Sequence, residues 1–335
     1  MGPMDFTELI DLAAERLGGA VLVANDEFFA AKENLLQASA PIFIEGKYTY
    51  FGKWMDGWET RRWRTPGFDW CIVRLGLPGI IRGVVVDTSH FKGNYPEQCS
   101  IEACAVDGQP EVAQLTRESV QWTEILPQSQ LKGDLQNPFG IQSGQRFTHL
   151  RFKIFPDGGV ARLRVYGEVV PDWHRVEHTG GEIDLAAVEN GGLVLTCSDM
   201  FFGHQHNLIM PGRAVNMSDG WETKRRRGPG HDWVMIKLGT VGNIRRLEVD
   251  TSYFKGNFPE SCSLEACNAP GLAVEALTDP AFSWKTVLPR TKLQAHTRHH
   301  FDAEVLDAGV VSHVRLNIFP DGGVSRLRVY GNIAR

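Results

Sequence analysis

At 335 residues, with 35 basic and 40 acidic side chains and a net charge of −5, the chain is long enough for about two domains, each closing its own core. No broadly basic stretch points to nucleic acid, no apolar run reaches the ~18 residues of a membrane span, and Asp5, Glu8 and Asp11 stand where a secretory leader would be basic. A soluble cytoplasmic protein is expected, acting on a small molecule without nucleic acid or membrane.

Most segments of the chain occur twice, and the order of the copies sets the organisation. Ile10-Asp-Leu-Ala-Ala returns at Ile183, and in each copy it is predicted as a short helix closed by Gly18 or Gly191. Ile10 matches Ile183 whereas Asp56 matches Asp219 at a shorter offset, so the first copy carries a ten-residue insertion within 37–55. Next comes Asp56-Gly-Trp-Glu-Thr-Arg-Arg, running on to Trp70, which returns from Asp219 to Trp233 with only positions 61, 63, 65 and 68 changed. Ile80 to Asp87 and Cys99 to Cys104 read as strands, and between them lies Asp87-Thr-Ser-His-Phe-Lys-Gly-Asn-Tyr-Pro, repeated from Asp250 to Pro259. His149 to Phe155 places Leu150, Phe152 and Ile154 on one face; Pro156-Asp-Gly-Gly supplies turn chemistry and Val160 to Tyr166 alternates again, which predicts a hairpin. This block recurs from Phe319 to Gly331 with Ala161 alone changed, to Ser325. The join falls near Val169 to Glu182, so the chain divides into a first repeat, 1–170, and a second, 171–335. Each reads as an antiparallel β-sandwich with one short helix, giving an all-β protein.

Six cysteines, at 71, 99, 104, 197, 262 and 267, match no zinc knuckle, and residues five apart on a strand face opposite ways, so buried free thiols are expected. Trp58, Trp221, Trp70 and Trp233 read as core or lid aromatics. Arg162, Arg164, Arg326 and Arg328 are open to two readings, a carboxylate clamp or outward charges on a sandwich face. His204 and His206 stand two apart in the second copy alone, a spacing that permits metal ligation but is weak without further ligands. His296, His299 and His300 read as a loop, and His149 and His313 as strand histidines held by structural hydrogen bonds. No dinucleotide fingerprint, phosphate loop, nucleophile elbow or His-Glu-x-x-His occurs, and no cofactor or metal is expected.

The polar clusters carry the chemistry. Asp56, Glu59, Thr60, Arg61 and Arg62, with Lys92 and Asn94 after the next strand, and their counterparts from Asp219 and Lys255, place carboxylates beside cations on sandwich loops. A loop-tying ion-pair network is the alternative reading of the same residues.

Together, the three doubled motifs closely resemble allantoicase, over nearly the whole chain from about Asp26 to Gly331. The resemblance implies two tandem jelly-roll (galactose-binding-like) sandwiches related by duplication. It also implies hydrolysis of allantoate to ureidoglycolate and urea in purine breakdown, with allantoate as the small-molecule partner; a homo-oligomer is expected. Set against that substrate, the residue chemistry nominates Glu59, Glu222, Asp56 and Asp219 as acid/base candidates. Arg62, Arg225, Lys92 and Lys255 would bind the carboxylate, and Asn94 and Asn257 the ureido arms. The Asp-Gly-x-x-Thr pattern also resembles discoidin-type sandwiches. On that reading Asp56, Thr60, Asp219 and Thr223 hold a structural calcium in a non-catalytic glycan- or small-ligand-binding module. A fold-preserving relative without activity is the third possibility.

Overall fold

The computed structural model describes residues 5–63, 66–106, 108, 110–173 and 181–334. The chain forms two compact units, 1–170 and 171–335, each built on antiparallel strands. In the first unit, one sheet path runs Ile10–Asp11, Arg162–Val169, Asp69–Asp87, Arg146–Phe155, Gln98–Cys104 and Thr123–Gln130, with Ala20–Ala24 and Gln136–Gly140 also pairing to Asp69–Asp87. The second unit repeats this order around Asp232–Asp250.

The central strand explains the sandwich. Its first half, Asp69 to Arg74, lies between Ala20–Ala24 and Arg146–Phe155. Its second half, Gly79 to Asp87, is flanked by Arg162–Val169 and, from Gly83 on, by Gln136–Gly140. Between the halves, the pairing with Arg146–Phe155 shifts register, and Gly79 packs its Cα against the Glu168 carbonyl, where a Cβ would sit at 2.3 Å. One strand therefore turns a corner and belongs to both layers, as a jelly roll requires. Alternation fills the space between them: Leu150, Phe152 and Ile154 are fully buried, while Arg151 and Lys153 point away and pair with Glu102 on the neighbouring strand. Each such apolar side chain stabilises by roughly 1.5–3 kcal/mol relative to exposure.

Three expectations are corrected. Ile10–Asp11 and Ile183–Asp184 are not helical; each is a short strand on the edge of the sheet, followed by a single 3-10 turn that Gly18 or Gly191 closes at φ 97° or 86°. The aspartate decides this: Asp11 Oδ1 accepts the Ala13 and Val165 amides, so it ties the strand to its neighbour instead of opening a helix. The short helices lie elsewhere, at Val112–Leu115 and Val274–Thr278. Nor do His149–Phe155 and Val160–Tyr166 form a hairpin. Both strands run antiparallel to Asp69–Asp87, so the Pro156–Ala161 link crosses between layers. Finally, His299 and His300 lie on a strand, Arg298–Phe301, paired to Leu247–Asp250, with His296 in the preceding turn.

The cysteines are free, five of them buried, and burial pushes the thiols of Cys99 and Cys262 up to about 12. Among the described residues no helix is long and apolar enough to cross a membrane.

Candidate active site

In each unit the three doubled motifs meet at one end of the sandwich. Trp58–Glu59 pairs with Gly159–Val160, and Trp221–Glu222 with Gly323–Val324. Trp58 and Trp221 are fully buried and donate their indole N–H to the carbonyls of Asp26 and Asp199, both at 2.8 Å. Adjacent residues of a strand face opposite ways, so fixing the tryptophan fixes the glutamate on the other face. There the Asn94 amide donates to Glu59 Oε1 at 2.7 Å, and that of Asn257 donates to Glu222 Oε1. The asparagine loops are themselves anchored. Phe91 and Phe254 are fully buried beneath them, and the carbonyls of Asn94 and Asn257 accept the amides of Gly159 and Gly323. Burial pushes both glutamate carboxyls above the ordinary range, against the opposing hydrogen bond from asparagine.

The second unit opens a cleft of ≈ 650 Å³ at this point. Glu222 and Asn257 line it together with Arg225, Arg226 and Lys292, and Phe202 and Phe258 supply apolar wall. The Arg226 amide donates to Asp321 at 2.8 Å and its guanidinium pairs with Asp232, while its Nε is buried with no hydrogen-bond partner among the described residues. In the first unit Trp63 takes the place of Arg226, its amide donating to Asp157, and Gln130 takes that of Lys292 at the end of the equivalent strand. The second cleft thus has two cations that the first end lacks, set against the Glu260 and Asp321 carboxylates that also line it; Glu260 pairs with Arg290, and Asp321 accepts the Arg226 amide. It can hold an anion beside a carboxyl biased toward its protonated form.

The remaining candidates separate. Lys92 lines a different cleft, in the first unit, together with Asn94. Arg62 is exposed, and Lys255 is exposed and not part of the second-unit cleft wall. Asp56 and Asp219 are not beside the glutamates in these walls. Asp56 pairs with the buried guanidinium of Arg162 at 2.8 Å and accepts the Ile42 amide, and Asp219 pairs likewise with Arg326. Burial opposes the Asp56 charge, but Arg162 and Ile42 outweigh it and hold that carboxyl below the ordinary range. The four strand arginines therefore neither clamp a ligand nor face outward. Arg162 and Arg326 are buried on aspartates, Arg164 donates to the Leu36 and Gln37 carbonyls, and Arg328 donates to those of Met210 and Gly212. Thr60 and Thr223 bridge to Gly158 and Gly322. His149 and His313 are buried with Nδ1 on Thr148 and Ser312, 2.8 Å each, and burial lowers His149 to about 4. His204 and His206 lie ring to ring at 5.0 Å, and among the described residues no group of three or more His, Cys, Asp or Glu is arranged to hold a metal.

Both units match the family model described as the allantoicase repeat, over residues 10–170 and 183–334. The chain belongs to the allantoicase family. It is 50% identical to an allantoicase of Dictyostelium discoideum, across 98% of this chain and 88% of that one. It is 49% identical to a probable allantoicase of Burkholderia mallei, across 97% and 94%. The crystal structure of allantoicase from Saccharomyces cerevisiae superposes with a TM-score of 0.78 at 37% identity, covering 96% of this chain and 93% of that one.

Membership of the allantoicase family makes the chain a hydrolase of C–N bonds in linear amidines and disfavours the non-catalytic discoidin-like module. The local geometry agrees, since the Asp56 and Thr60 oxygens suggested for calcium already bind Arg162, Ile42 and the Gly158 backbone. Sequence reasoning reaches Arg226 only within the short cationic run Lys224 to Arg227, read first as a solvated loop and second as an anion site, and it missed Lys292 in this allantoicase fold. The signal was there in the mismatch between copies, arginine against Trp63 and lysine against Gln130.

Proposed function

We propose that allantoate is hydrolysed to ureidoglycolate and urea in the second-unit cleft, with Glu222 moving the proton. The single observation that carries this reading is the juxtaposition of a carboxyl pushed toward its protonated form with Arg225, Arg226 and Lys292. Allantoate joins one carboxylate and two ureido groups to a single carbon. The cations that line the cleft, Arg225, Arg226 and Lys292, take the carboxylate. Urea leaves poorly as an anion, so the departing nitrogen must be protonated as its C–N bond breaks. Glu222 supplies that proton while the lone pair of the other ureido nitrogen forms an acyliminium-like bond. The resulting carboxylate then removes a proton from the water that adds to the carbon, which restores Glu222 and completes ureidoglycolate. The Asn257 amide, committed through Nδ2 to Glu222, offers Oδ1 to a ureido N–H. Asp56 and Asp219 hold the loops on this reading. Homo-oligomeric assembly belongs to it as well, supported by the exposed Tyr48, Tyr50 and Phe51 of the insertion.

Urea release from allantoate by Glu222→Gln and Glu59→Gln tests the assignment. Glu222→Gln should lose roughly 10²–10⁴ in kcat, the usual worth of a positioned acid/base. Glu59→Gln should stay within about threefold of the parent. Full turnover by folded Glu222→Gln would sink the assignment.

A further inference from the structure

We propose that the insertion builds a second, non-catalytic site in the first unit, selective for a small carboxylate that carries a planar ureido group. The cleft there measures ≈ 520 Å³, within the range of small-ligand pockets. Phe43, Lys53 and Met55, from the inserted segment, form one wall, and His90, Lys92 and Asn94 form the other.

The inserted wall is held in place. The Ile42 amide donates to Asp56, the Pro41 carbonyl lies 3.2 Å from His90 Nε2, and Arg162 Nε donates to the Ser39 carbonyl at 3.0 Å. Met55 is buried against Phe91, giving the cleft an apolar floor. Above it the Lys53 ammonium sits 4.5 Å from the Phe43 ring centre, and that ring lies 6.0 Å from the His90 imidazole at an interplanar angle of 33°. The Lys92 ammonium is mostly exposed, with a long contact, 3.7 Å, to Asp134.

These groups specify the ligand. Two ammoniums flanking one cleft suit a carboxylate, and the tilted Phe43 and His90 rings give a flat conjugated group an aromatic face to lie against. His90 Nε2 faces the Pro41 carbonyl, and in the tautomer that donates to it Nδ1 is an acceptor. Asn94 spends Nδ2 on Glu59, so Oδ1 is likewise an acceptor, and both ask for N–H donors such as a ureido group carries. Among the described residues the lining holds no carboxyl, so the glutamate that lines the second-unit cleft has no counterpart in this wall. The second unit cannot reproduce it: Tyr253 stands for His90, and Met217 packs its sulfur on the Asn257 amide where the insertion would open.

The test uses the full chain with ¹³C-labelled histidine, the His90 ring signal being identified by its loss in His90→Asn. N-carbamoylglycine, a ureido carboxylate without the second ureido leaving group, should shift the His90 signal saturably. Lys53→Gln and Phe43→Ala should each weaken that response about tenfold or more while urea release from allantoate is retained. Acetate and urea, given separately, should not saturate it. An unmoved His90 signal, equal affinity in both variants, or equal affinity for acetate would each overturn the proposal. So would loss of turnover in folded Lys53→Gln, since the site would then be catalytic.

Discussion

Glu222 and Asn257 are 35 residues apart in sequence and touch, as do Glu59 and Asn94. Burial raises both glutamates, so folding favours the protonated carboxyl. The sign follows: their contribution to stability is complete below the ordinary glutamate pKa and is lost as pH rises through the raised folded value. For turnover the same titration removes the proton that urea needs. The alkaline limb of kcat/KM should therefore report Glu222, and a pH profile that keeps this limb unchanged in Glu222→Gln would assign it to another group. Asp56 and Asp219 should behave differently. Asp56→Asn strands a buried guanidinium, a loss of about 3–5 kcal/mol in denaturant melts, and Asp219→Asn should follow with the partly exposed carboxylate giving less. Protein that remains folded should release urea near the parental rate. At this scale the sequence was half legible. It named the Glu–Asn–Arg set, because polar residues clustered in twice-repeated loops have few places to go. It could not tell Asp56 from Glu59, since only the fold reveals that Arg162 is buried opposite one and Asn94 opposite the other.

The element that aims the glutamate is a two-residue strand with a glycine partner. Gly323 pairs with Glu222 and lies flat on the Phe254 ring, where an added Cβ would approach to 1.9 Å. Gly323→Ala must displace the ring or the strand, an overpacking cost of about 1–3 kcal/mol. Because the displaced strand carries Glu222, kcat should fall along with Tm; a variant that loses Tm alone would show the glutamate to be held by other means. Alternating strands such as His149–Phe155 were readable in one dimension, but their partners were not. A turn sequence as strong as Pro-Asp-Gly-Gly suggests a hairpin, yet the neighbour across the sheet is the distant Asp69–Asp87. The Ile-Asp-Leu-Ala-Ala segment failed for a related reason: its helix-forming leucine and alanines are overruled by an aspartate bonded to a strand some 150 residues away.

Across the whole molecule, duplication made the architecture legible, since three motifs in the same order permit little else than two like units. Each unit has its own buried set, Leu150, Phe152 and Ile154 in the first and Val314, Leu316 and Ile318 in the second. We therefore expect the halves 1–170 and 171–335, expressed separately, each to unfold in one cooperative transition in urea; a half without such a transition would refute this division. The copies differ in two ways, the first having extra residues between its motifs and the second having Arg226 and Lys292 where the first has Trp63 and Gln130. The cornered strand also bears on how each unit finds its fold. Since Asp69–Asp87 runs through both layers, a slip of one residue would turn inward side chains outward in each layer at once. Register is thus proofread twice along a single stretch of chain, and a mispaired layer cannot persist beside a native one.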